Sequence, residues 1–222
     1  MPVLAIAGLK GGVGKSTVAV CLASELHRRG DTVLFCDADP QRSALTWAAA
    51  AAEAEQPCPT TVAIHTGFHR PGQIPSAGYV WTLIDTPPQD GGALRSAMMI
   101  ADLLVMPLQP GPFDAWRAAD AVELLREAQT MRPELRAVVA LNRTARNALT
   151  GSARDALKEL GLPILTTALG NRVTYPESIA AGTGPTVYAP KSPAALEVKS
   201  LTDEIVALLP TAKPAKRSRS RG

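Results

Sequence analysis

The sequence predicts an α/β protein with a doubly wound, mainly parallel β-sheet flanked by helices. Three observations carry that expectation. Short apolar, β-branched runs alternate with longer stretches whose apolar residues recur at helical spacing. The first run passes through a glycine-rich turn directly into a helix, as a βαβ unit does when it opens. Several apolar runs then end on an aspartate, and strand carboxyl ends are where such sheets gather ligands. A chain of 222 residues suits one domain, expected over 1–210, followed by a basic tail over 211–222.

The elements follow in order. Residues 3–8 form the first strand. A helix over 15–29 places Val18, Leu22 and Leu26 on one face, and Gly30 closes it. The run 32–36 reads as a buried parallel strand that ends in Asp37-Ala38-Asp39-Pro40-Gln41. Residues 43–55 are alanine-rich and helical until Pro57 and Pro59 break them. A strand over 61–65, a Gly- and Pro-rich loop over 66–78 and a strand over 80–84 lead to Asp85-Thr86-Pro87-Pro88. A helix over 91–101 and a strand over 103–107 come next. A stiff proline-rich loop over 109–113 follows, and Asp114 is placed to cap a long helix reaching residue 130. The rest is a strand over 135–141 ending at Asn142, a helix over 149–160 closed by Gly161, a short strand over 164–166, and helices over 173–181 and 193–209.

Composition narrows the setting. No uncharged apolar run is long enough to span a membrane, and no charged segment precedes an apolar one at the start, which argues against a secretory signal. Cys21, Cys36 and Cys58 show no paired spacing, so they read as unpaired thiols of a reducing cytoplasm rather than as metal or cluster ligands. The net charge of +3 is uneven: Lys213, Lys216, Arg217, Arg219 and Arg221 crowd the last ten residues. Such a tail suits phosphate backbones in a salt-dependent, sequence-independent way; a solubilising end is the alternative.

The chemistry starts in Lys10-Gly11-Gly12-Val13-Gly14-Lys15-Ser16-Thr17. Glycines let the backbone turn tightly and bring several N–H groups to phosphate oxygens, and the helix N-terminus behind them adds positive potential. Lys15 is placed to reach the β- and γ-phosphates and the Ser16 hydroxyl to hold Mg²⁺. Asp85, after its apolar strand, reads as the acid that touches Mg²⁺ directly or through water.

KGGVGKST resembles the deviant Walker A box of the ParA/MinD family of dimeric ATPases. Leu9 stands where the plain Walker pattern has its first glycine, and a second lysine, Lys10, opens the loop. DADPQ and LIDTPP strengthen the likeness, which runs from Val3 to about Leu209. The resemblance implies ATP/ADP and Mg²⁺ as cofactors, with residues 10–17 around the phosphates. It implies that Lys10 crosses a dimer interface to the partner's ATP, that Asp39 orients the attacking water and that Asp37 supports the metal shell; a cap on the following helix is the other reading of Asp37. Asn142 ends a strand where related enzymes hold adenine, though an ordinary turn asparagine would look the same.

Among members, the chain looks most like the small ParF-like ATPases, whose proline-rich segment near the dimer interface Pro107 to Asp114 resembles; read alone it is only a stiff loop. The first strand begins at Val3, so no helix-turn-helix is expected before it. The last helix carries Leu201, Ile205, Leu208 and Leu209 on one face with acids elsewhere, and is expected to dock on its own body rather than on a membrane. The function implied is a cytoplasmic ATPase that dimerises on ATP, binds DNA nonspecifically on the nucleoid and positions a cargo, with hydrolysis stimulated by a ParB-like or cargo adaptor. Arg143, Arg146, Arg154, Arg172, Lys191 and Lys199 are the DNA-facing candidates. A MinD-like membrane-associated ATPase and a metabolic P-loop enzyme are the alternatives.

Overall fold

The computed structural model describes residues 1–75, 78–110, 112–144, 158–159 and 161–209, with backbone only for 112–118. Six strands make one sheet: β1 (Val3–Ile6), β2 (Val33–Asp37), β3 (Thr60–Ala63), β4 (Trp81–Asp85), β5 (Leu103–Leu108) and β6 (Arg136–Leu141). They pair in the order β3-β2-β4-β1-β5-β6, every pair parallel. β1 lies between β4 and β5; the chain leaves β1 toward β2 on one side and later leaves β4 toward β5 on the other. The loop after β1 therefore sits at the point where the strand order reverses, the crevice in which such sheets bind ligands.

Helices α1 (Lys15–Arg28), α2 (Ser43–Glu53), α3 (Gly91–Ile100) and α4 (Pro112–Met131) connect the strands, and α5 (Thr174–Ala180), α6 (Pro185–Tyr188) and α7 (Pro193–Leu208) close the chain. The period of two along each strand divides the core in two. Leu4 and Ile6 of β1 join Val33, Phe35, Leu83, Leu103 and Val105 against α1, α2, α5 and α7. Ala5 joins Leu34, Cys36, Ile84, Leu104 and Met106 against α3 and α4. Strands covered on both faces read as unbroken apolar runs, which is why β2, β4 and β5 are buried throughout. Each buried Leu or Ile contributes roughly 1.5–3 kcal/mol, so the two-sided core, more than helix propensity, holds the layers.

The structure adjusts several expectations. α4 begins at Pro112, so residues 112 and 113 belong to the helix and Asp114 lies inside its first turn rather than before it. Proline suits that first position because its missing N–H has no intrahelical partner there. The strand expected over 164–166 contracts to a single bridge between Ile164 and Val139. Beyond it the N–H groups of Thr166 and Thr167 turn to the Glu204 carboxylate of α7, at 2.7 Å each. The short helix α6 had no signal strong enough to expect. The last helix docks as expected, with Leu201 and Ile205 buried against the α1 side of the core and Leu208 packed beside them. No helix among the described residues is long and apolar enough to cross a membrane. The helix over 149–160, apart from 158–159, and the tail over 211–222 lie outside the described residues.

Candidate functional site

The sheet register brings three elements to one place. Asp85, the last residue of β4, is level with Ile6 of β1 on one side and Asp37 of β2 on the other. The glycine-rich loop leaves β1 just beyond that row and ends at Gly14, whose φ of 91° is left-handed. A side chain at Gly14 is excluded twice: that backbone favours glycine, and a Cβ would lie 2.2 Å from the Asn142 amide nitrogen. Leu9, the departure from the plain loop pattern, packs against the α3–α4 side of the core, and its carbonyl accepts the Gln89 N–H at 3.0 Å.

Lys15 opens α1 and is buried, its Nζ donating to the Lys10 carbonyl at 2.8 Å. Burial pulls its ammonium below the ordinary range, against the attraction of Asp85 and then Asp39. Asp85 is fully buried, and among the described residues neither carboxylate oxygen has a hydrogen-bond partner. Burial pushes its pKa up to about 7; the nearby Ser16 hydroxyl pulls the other way without completing an aligned hydrogen bond, while Asp37 and Asp39 add repulsion. A buried, unpaired carboxylate is expensive, and native structures keep one where a ligand completes it.

Asp37 is satisfied instead. Its Oδ1 accepts the Asp39 N–H at 3.0 Å, and its Oδ2 accepts the N–H groups of Ala44 and Leu45 at 3.0 and 3.1 Å. It thus caps the first turn of α2 while standing beside Asp85. Burial still raises its pKa above the usual aspartate value, with those N–H groups opposing. Asp39 is nearly buried and faces the loop; its Oδ1 accepts the Gln41 N–H at 2.9 Å. Gly12, Gly14, Lys15, Ser16, Thr17, Asp39, Pro88 and Arg143 line one cavity of about 210 Å³. Gly11 is half-exposed and Val13 buried, while Lys10, also half-exposed, lines a separate cavity of about 210 Å³ with Leu9, Gln89 and Asp120.

A second cavity, of about 370 Å³, adjoins the first through Thr17 and Arg143. Asn142, Gly170, Asn171, Arg172, Val173, Tyr175 and Pro176 complete its lining. Asn142 is tied to the loop: its Nδ2 donates to the Val13 carbonyl at 2.7 Å, and its Oδ1 accepts the Arg143 N–H at 2.9 Å. Arg143 and Arg172, expected among the DNA-facing residues, line this cavity; Arg143 is exposed, and Arg172 is paired with Glu197. Lys191 is exposed and Lys199 half-exposed, whereas Arg146 and Arg154 lie outside the described residues.

Sequence reasoning passed over Gln109, whose side-chain amide donates to the Gly12 carbonyl at 3.1 Å and ties the end of β5 to the loop. It also passed over Tyr175 and Glu197. No local pattern marks them, because their partners are distant in the chain.

A phosphate-sized pocket at a helix N-terminus, beside a larger cavity and two acids, is a nucleotide-binding arrangement. Residues 4–185 match the CobQ/CobB/MinD/ParA nucleotide binding domain family. The chain belongs to that family. Among its relatives, the maintenance of carboxysome distribution protein A of Halothiobacillus neapolitanus is 31% identical over 182 residues, covering 81% of this chain and 84% of that protein. The chromosome-partitioning ATPase Soj of Thermus thermophilus is 27% identical over 236 residues, covering 92% and 95%. In fold, the chain resembles Cyanothece McdA in complex with ATP, with a TM-score of 0.69 at 16% identity over 96% of this chain and 99% of that one. The family's nucleotide-binding domain is thus the one whose six-stranded parallel sheet positions Lys15 and Asp85 here.

Proposed function

We propose that this protein is a ParA-type, Mg²⁺-dependent ATPase that dimerises on ATP, binds DNA without sequence preference and positions a cargo. The observation that carries the reading is Asp85, buried with two unpartnered oxygens next to Lys15 and the glycine-rich loop. That donor fits a hard cation, and the 16-position hydroxyl beside it fits the same ion. Mg²⁺ bound there would neutralise charge on the phosphoryl oxygens.

The chain's own residues take the remaining roles. The N–H groups of Gly11 to Thr17 cradle the phosphates, and Lys15 swings from the Lys10 carbonyl to the β- and γ-phosphates. Ser16 and Asp85 hold the ion, and Asp37 acts on it from behind, through the backbone it fixes at Asp39. Asp39 holds the attacking water as it adds to the γ-phosphorus and the bond to the ADP oxygen breaks. Asn142 closes the base side of the site. Lys10, half-exposed on the loop, reaches across to the nucleotide of a second copy, so ATP joins two subunits and its hydrolysis frees them.

Exposed lysines and the basic tail supply the DNA contact, and an adaptor with its cargo triggers hydrolysis. The relatives favour a protein assembly such as a carboxysome, or a chromosome region, as that cargo. The protein then works in the cytoplasm and sits on the nucleoid in its ATP form.

Sedimentation velocity tests the dimer switch. The wild-type protein is expected to sediment as a dimer with Mg–ATP and as a monomer with ADP, while Lys10→Ala stays monomeric with both. A Lys10→Ala protein that dimerises with ATP and hydrolyses it at the wild-type rate contradicts the reading.

A further inference from the structure

The wall of the larger cavity is fastened from outside it. Residues 169–171 run beside the end of β6: the Thr144 N–H donates to the Leu169 carbonyl, and the Asn171 N–H donates to the Thr144 carbonyl, both at 3.0 Å. That pairing fixes the backbone but not the side chains facing the cavity. Those are held by one carboxylate of α7. Glu197 accepts the Gly170 N–H at 3.0 Å, Arg172 Nε at 2.9 Å, Arg172 Nη2 at 2.5 Å and the Tyr175 hydroxyl at 2.7 Å. Glu197 is absent from the cavity lining, yet Gly170, Arg172 and Tyr175 all belong to it. Gly170 leaves room for the arrangement, since a Cβ there would lie 3.0 Å from Arg172 Nε and 3.2 Å from its Cζ.

A guanidinium held by two of its nitrogens against a carboxylate is a fixed plane, and such a plane stacks on a flat aromatic ligand. Tyr175 is equally constrained, its ring in the core and its hydroxyl bonded. We propose that Glu197 is a positioning residue for the nucleobase: by fixing Arg172 and Tyr175, it builds the planar wall against which the base lies. This rests on the ATP site proposed above. It also makes α7, which packs on α1, part of the nucleotide site although no residue of α7 lines it.

Phosphate binding and base binding can be separated with two probes, Mg–ATP and Mg–tripolyphosphate, the second having no base. Affinities are measured by calorimetry for the wild type, Glu197→Gln and Tyr175→Phe, with thermal unfolding recorded for each. Glu197→Gln keeps the shape but cannot accept every bond the carboxylate holds. It is expected to weaken ATP about tenfold while tripolyphosphate changes less than about twofold. Tyr175→Phe, which removes one of the four bonds and keeps the ring, shifts the same ratio in the same direction and carries the test should Glu197→Gln not fold. In an Arg172→Ala background, Glu197→Gln changes the ratio less than it does in the wild type, because only Tyr175 is left for it to orient.

Parallel weakening of both ligands would mean the phosphate loop itself was disturbed and would overturn the positioning role. Unchanged affinities with a lowered Tm would overturn it too, leaving Glu197 as a structural tie. A wild-type protein that binds neither probe overturns the ATP site and this inference with it.

Discussion

Helix α1 has a buried carboxylate near each end, and the surroundings treat the two oppositely. At its N-terminus Asp85 has neither oxygen partnered among the described residues, and burial pushes it up to about 7. Near its C-terminus Glu25 is equally buried, yet it accepts Arg28 Nε and Nη2 at 2.7 and 2.8 Å and Arg29 Nε at 2.8 Å. Burial alone would favour its neutral form; the two guanidinium groups win and hold it at about 2. Arg29 continues to Asp203 of α7 at 2.7 Å and so pins the last helix to α1. The lesson is that burial of an acid does not mark a site. What separates the two is that the chain supplies partners for Glu25 and, among the described residues, none for the oxygens of Asp85.

The sharpest break of that contrast is Asp85→Asn. It removes an unpaired buried charge, so the ligand-free protein is expected to unfold at a higher temperature than the wild type. Hydrolysis of ATP should fall by on the order of 100-fold, and the extra stability conferred by Mg–ATP should largely disappear. A variant that is both less stable without ligand and fully active would remove Asp85 from the site.

Glu25→Gln is the mirror experiment. It should destabilise by about 2 kcal/mol, seen as a lower urea midpoint, because hydrogen bonds to charged groups are lost in a buried place. Nucleotide affinity is expected to stay at the wild-type level, since the far end of α1 keeps its geometry.

The two acids also predict opposite pH slopes. Asp85 is raised from an ordinary value of 3.8, so its contribution to stability is full below about pH 4 and is lost as pH rises toward 7. Glu25 is lowered from 4.5 to about 2, so its contribution is present above about pH 4.5 and is lost as pH falls toward 2. Unfolding midpoints of ligand-free protein should therefore decline less between pH 4 and 7 in Asp85→Asn than in the wild type, and less between pH 4.5 and 2 in Glu25→Gln. The smallest expected effect lies far from either acid. Arg132 Nη1 donates to the Met98 and Ala101 carbonyls at 3.0 and 3.1 Å and so satisfies the end of α3. Arg132→Ala should cost about 1 kcal/mol of stability, read from the same urea midpoint, with no change in hydrolysis.

The same contrast explains what could be read in the sequence. The phosphate end of α1 was legible because its parts are short and contiguous: a strand, three glycines, Lys15 and Ser16, then aspartates that close strands at Asp37 and Asp85. Parallel strands alternate with helices, so the layer order was legible as well. The Glu197 cluster was not, because it joins α7 to residues 170–175, a pairing only the folded chain decides; Arg28 and Arg29 lie within one helical turn of Glu25, but the burial of that acid and the link from Arg29 to Asp203, 174 positions away, come only with the fold. Asp37 was legible as an acid at a strand end. Its use of both oxygens on the backbone of α2 depends on how that helix enters, which composition does not fix. The start of α4 at Pro112 was missed for a local reason: proline breaks helices in their interior and opens them at the first position, and a segment with Pro110 and Pro112 two positions apart allows either.

The dependence of DNA binding on ATP is read with random-sequence duplex DNA, without nucleotide, with Mg–ADP and with Mg–ATP, at low and moderate salt. Binding is expected to be far stronger with Mg–ATP than with Mg–ADP or no nucleotide, to weaken as salt rises, and to lose its dependence on ATP in Lys15→Ala. Equal binding in every nucleotide state, or retained ATP-dependent binding by Lys15→Ala, would contradict that expectation.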